Sequence, residues 1–107
     1  MKEIELVETT QSAHKDYEPV ELNNGISVTS SRDVRNDTYT VEGNVQKGGK
    51  DIGRYVFDEV NGRMFVNVNA DDLSRNDKRE VIETIASIML QLVPAEVAEA
   101  SEEATAE

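Results

Sequence analysis

The chain has 107 residues, and 22 Asp and Glu against 11 Lys and Arg give it a formal net charge of −11 at neutral pH. Only 37% of residues are apolar and there is no Cys or Trp, so the chain lacks an apolar run of membrane-helix length and any cysteine for a disulfide framework or thiolate metal site. The length fits one domain, and the acidic balance argues against a basic surface for nucleic acid.

The charge is unevenly divided. Residues 94–107 carry five acids and no base, and residues 1–24 carry six acids and two bases. Residues 25–93 hold eleven acids against nine bases, so this central stretch is close to neutral. The expected organisation is a weakly ordered N-terminal segment over 1–24, a folded domain over 25–93 and a disordered acidic tail over 94–107. Val97 is the only large apolar residue of that tail, too little to offset the entropy of ordering.

At the N-terminal end, Ile4 and Leu6 alternate with acids, which predicts a short strand over 3–8. Neither a secretory signal pattern nor an acylation motif is present, so a cytoplasmic location is expected. Residues 9–24 keep no period, and Pro19 restricts them to a sheet edge or a loop. Asn23-Asn24-Gly25 is the turn signal that opens the ordered body.

Four runs rich in Val, Ile, Tyr and Phe follow, over 26–30, 38–45, 52–59 and 64–69, and each reads as a strand. Residues 31–37 between the first two read as a solvated loop. At Gly48-Gly49 a two-residue turn competes with a three-residue loop that includes Lys50 and a bulge. The bulged form is preferred, because it sets Val41 opposite Phe57 and gathers the apolar side chains on one face. Asn61-Gly62 is the preferred pair for a two-residue type I′ turn. That turn would place Val60 opposite Arg63, Phe57 opposite Val66 and Tyr55 opposite Val68. Tyr55, Phe57, Met64, Val66 and Val68 then share the expected core face.

After Asn69 the apolar period changes from 2 to 3.6 and predicts a helix over 74–93. Ser74 with Asp77 resembles a capping box, and Pro94 stops the helix. Val81, Ile82, Ile85, Ile88, Met89 and Leu92 form one stripe. Leu90 lies half a turn from Val81 and points to solvent. The expected fold is α+β: a four-stranded antiparallel β-meander packed by one C-terminal helix, with flexible acidic ends.

Chemistry is sparse. His14 is the only histidine, and its surroundings in the sequence offer neither the positioned partner nor the cleft that a general base needs. The acids of residues 69–77 lack the glycine and spacing of a calcium loop and are explained by helix capping. Gly48-Gly49 between Lys47 and Lys50 has no phosphate-loop pattern around it and no helix behind it. No catalytic residue, cofactor or metal ligand is assigned. Arg32 and Arg35 in the 31–37 loop are candidate partner contacts, because Arg is enriched at interface hot spots. Leu90 is a third, as an exposed apolar side chain that hints at self-association.

The expected function is that of a small acidic protein-interaction module, acting by binding a protein partner or a second copy, with no direct contact to nucleic acid or membrane. One alternative is a nucleic-acid mimic that presents carboxylates where phosphates would lie. The other is an enzyme using carboxylate chemistry at Asp58, Asp71 or Asp72.

Overall fold

A computed structural model of the chain describes residues 4–7 and 14–95. Five strands, β1 (His14–Glu21), β2 (Ile26–Arg35), β3 (Thr38–Lys47), β4 (Lys50–Asp58) and β5 (Arg63–Val68), precede one helix, α1 (Arg75–Leu92). The strands form a single antiparallel sheet in the order β1-β2-β3-β4-β5. The fold is therefore α+β as expected, with five strands rather than four.

The additional strand comes from the N-terminal stretch that the sequence pattern leaves weakly ordered. β1 pairs with β2 as far as Tyr17↔Ser30 and resumes at Val20↔Val28. The irregularity at Glu18-Pro19 sets the two apolar residues three apart instead of two, which hides the alternation. Pro19 is tolerated because β1 is an edge. Within the predicted strand 3–8, residues 4–7 take no strand conformation. The remainder of that prediction and the acidic tail beyond Ala95 lie outside the described residues.

Each connection is tighter or looser than its sequence suggests, for a local reason. The predicted 31–37 loop shrinks to Asn36-Asp37, whose φ values of 51° and 64° suit a two-residue hairpin turn. Gly48-Gly49 is likewise a two-residue turn, with φ of 62° and 82° and Lys47 paired to Lys50. The bulge exists as well, but inside β4, where the ladder passes from Val45↔Gly53 to Gln46↔Asp51 and leaves Ile52 extra. Val41 consequently does oppose Phe57.

The Asn61-Gly62 connection needs correction. Asp58 pairs with Arg63, so the loop spans four residues, and Tyr55 opposes Val66 while Phe57 opposes Met64. The Asp58 carboxylate holds this loop: Oδ1 accepts from the backbone of Val60 at 3.0 Å and of Asn61 at 3.2 Å, and Oδ2 accepts from Asn61 Nδ2 at 2.8 Å. The register moves by two residues, which changes every partner and leaves every side chain on its predicted face.

On that face Ile26, Val28, Val41, Val45 and Tyr55 are buried beneath Val81, Ile85, Ile88 and Leu92 of α1. Ser74 caps the helix, its side chain accepting from the Asp77 backbone at 3.1 Å. Asp77 does not complete a capping box. Its carboxylate accepts instead from Asn24 Nδ2, at 3.1 and 3.0 Å, and ties the helix to the β1–β2 turn. The buried stripe includes Thr84 and Ser87 but not Ile82, which is 65% exposed. The helix is thus rotated from the purely apolar stripe, with the flank bearing Gln91 against residues 4–7: Gln91 Nε2 donates to the Ile4 carbonyl at 3.0 Å.

One close approach fixes the middle of the sheet. Tyr55 lies across Gly43 on β3, and its hydroxyl donates to the Thr29 carbonyl of β2 at 2.8 Å. A Cβ at position 43 would fall 1.9 Å from that carbonyl and 2.6 Å from the hydroxyl. Burial pushes the Tyr55 phenol well above its ordinary pKa, so it stays a proton donor.

Urea unfolding checks these assignments. Ile88→Ala is expected to cost about 2–5 kcal/mol through a buried cavity, and Gly43→Ala about 1–3 kcal/mol through overpacking. Ile82→Ala, at an exposed position, should cost about 0.5 kcal/mol or less. Similar losses at 82 and 88 would contradict the helix orientation.

Candidate functional site

A helix with its side chains is about 10–12 Å across, whereas five strands about 4.8 Å apart span roughly twice that width. One helix therefore leaves part of the sheet face bare. α1 lies over β2 and β3, and the two flanks of the helix are treated differently.

On the β1 side the chain fills the gap itself. Ile4 and Leu6 pack against the core, and the Val7 carbonyl accepts from the Glu18 backbone on β1 at 2.9 Å. On the β5 side an open apolar groove of about 460 Å³ remains. Its walls are Val66 and Val68 from β5, Ala70 and Leu73 from the connection to α1, and Ile82 and Met89 from α1. Met64 and Val66 lie on the same sheet face beyond the helix, 70% and 54% exposed.

The two sheet edges differ in the same sense. β1 carries Pro19, an irregular register and the charges of Lys15, Asp16, Glu18 and Glu21, all devices that discourage pairing with another strand. β5 reads Arg63-Met-Phe-Val-Asn-Val68. Past Arg63 it has no charge, proline or glycine, and among the described residues its outer edge has no partner strand.

The residues singled out from sequence do not meet at this surface. Arg32 and Arg35 belong to β2, not to a loop. Alternation along the strand sends them to opposite faces, with the Arg32 guanidinium 5.8 Å from the centroid of the Tyr39 ring. Leu90 is 67% exposed on the outer side of α1, half a turn from the buried stripe. The sequence signal that was available for the groove is the uncharged Met64–Val68 run itself, once it is known to be an edge.

His14 does have partners. Its ring nitrogens lie 2.7 Å from Asp33 Oδ1 and 2.9 Å from Asp16 Oδ1. Hydrogen bonding to Asp33 and then Asp16 raises its pKa above the ordinary value of 6.5. The three candidate carboxylates are dispersed. Asp58 closes the β4–β5 loop, and Asp71 and Asp72 follow the far end of β5, about 20 Å away along a six-residue strand. Hydrogen bonds from Asn61 and Val60 lower the Asp58 pKa. Among the described residues, no three His, Cys, Asp or Glu side chains group as a metal site, and no helix is long and apolar enough to cross a membrane. Comparisons with protein families, curated proteins and solved structures find no match to this chain.

The raised His14 pKa sets a direction for pH dependence. Its contacts stabilise the fold fully below the unfolded-state value and are lost as pH rises through the folded-state value. NMR titration should place His14 above 6.5, and His14→Gln should remove the loss of stability over that window. A titration at or below 6.5 would contradict the pairing with Asp33. Asp58 acts in the opposite sense, its contribution lost as pH falls through its lowered pKa.

Proposed function

We propose that this chain is a small protein-interaction module that acts by binding in the cytoplasm, and that its contact surface is the β5 edge together with the groove beside α1. The observation that carries this reading is the asymmetry of the helix flanks. The flank toward β1 is filled by residues 4–7, and the flank toward β5 leaves Met64, Val66 and Ile82 more than half exposed beside a strand edge that has no partner among the described residues. Their exposed parts form an apolar patch of about 350 Å² by ordinary side-chain areas, the size of the largest patch on a typical monomer, which is often a functional surface. A strand added to β5 would satisfy its outer backbone groups while its side chains entered the groove, which is the physics of β-augmentation.

Photocrosslinking in cells tests the reading. A photoreactive residue at Ile82 should give discrete protein adducts, and the same residue at Leu90, equally exposed on the outer side of α1, should give few. Equal yields at both positions, or none at Ile82, would count against it.

A further inference from the structure

Building on this reading of the surface, we infer that its occupant is a second copy of the chain, joined through antiparallel pairing of β5 with β5 about a two-fold axis. Such pairing sets residues of the same face opposite each other only when the two residue numbers sum to an even value. The register centred on Val66 meets that condition over the whole apolar run. Val66 faces Val66 of the other copy, Met64 faces Val68, and Phe65 faces Asn67. Arg63, the one charge on β5, then meets the end of the other strand where Asn69 leads to Asp71, basic against acidic.

The geometry of the rest of the molecule suits this arrangement. A two-fold axis normal to the sheet keeps both helices on one side, so the two grooves merge into a single apolar seam above the joined strands. Ile82 and Met89 of each copy form its walls. Pairing covers the outer edge of β5 and the flanks of Met64, Phe65 and Val66 beside it, all of them exposed in the single copy. The other edge cannot compete, because Pro19, its charges and the Val7 contact blunt it. Although each copy carries −11, most of the charge surplus lies outside residues 25–93, and added salt should screen the repulsion between copies rather than weaken the apolar contact.

The chain has no cysteine, which makes the register directly testable. Opposed residues across an antiparallel pair lie about 4.5–5.5 Å apart at Cα, within the range a disulfide spans. Under mild oxidation the full chain with Val66→Cys should form a disulfide-linked dimer at least tenfold faster than the full chain with Leu90→Cys. Sedimentation equilibrium of the unsubstituted chain should show a monomer–dimer equilibrium, and Val66→Lys should weaken it at least tenfold. Position 66 is exposed in the single copy, so Val66→Lys should keep the far-ultraviolet dichroism and a cooperative melt. A strict monomer with equal cross-linking at 66 and 90 would overturn the inference, as would self-association that Val66→Lys leaves intact. If the chain is monomeric and Ile82 still captures a different protein, the interaction-module reading survives and the second copy does not.

Discussion

One helix has to shield one face of a five-stranded sheet, and it is too narrow to do so. That mismatch of widths organises the molecule. Wherever α1 sits, part of the sheet face must be covered by something else or left open. The buried set under the helix, from Ile26 to Tyr55 in the sheet and from Val81 to Leu92 in α1, is centred on the first three strands. Of the apolar positions on β5, Val68 packs against its margin, and Met64, Phe65 and Val66 remain exposed.

Polar ties decide which side stays open. Asp77 at the start of the helix accepts two contacts from Asn24 beside β1. Lys47 at the end of β3 donates from Nζ to the Asp72 carbonyl at 2.9 Å, just ahead of α1. Gln91 near the helix end donates to Ile4. These ties run to the β1–β2 turn, to the end of β3 and to the segment beside β1, away from β5. Tyr55 adds to the same bias, since its side chain leans over Gly43 toward β2. The open groove is therefore a consequence of where the directional contacts lie, and not of a shortage of apolar residues. Ile82 and Met89 were available to pack on β5 and instead form the groove wall.

Much of this was legible in the sequence, and the failures have physical causes. The helix announced itself through Ser74, the 3.6-residue stripe and Pro94, because capping and amphipathic periodicity are local properties. The sheet faces were legible because a two-residue error in register preserves parity, so Tyr55, Phe57, Met64, Val66 and Val68 shared a face under either pairing of β4 with β5. The turn itself was not, since the preference of Asn61-Gly62 for a two-residue loop was overridden by the Asp58 carboxylate capping two backbone amides. β1 was hidden by its bulge. Ile82 was misplaced because periodicity gives the apolar side of a helix but not how far it is rotated by polar contacts such as those to the Asn24 amide and the Ile4 carbonyl. The groove was invisible for the same reason: it depends on which strands the helix covers, which no local pattern encodes. Arg32 and Arg35 were chosen as arginines of an expected surface loop and Leu90 as an apolar side chain off the buried stripe, and the fold scatters the three over different surfaces.

The central claim is that the β5 edge and the flank of α1 facing it are built to be covered by another copy of the chain. Hydrogen exchange read at dilute and concentrated protein tests it most directly, because a strand edge that gains a partner gains protected amides. The account predicts that exchange in residues 63–70, and in the helix residues that wall the groove, slows as concentration rises, while β1 is unchanged. Identical exchange in β5 at both concentrations, or slowing confined to β1, would contradict it.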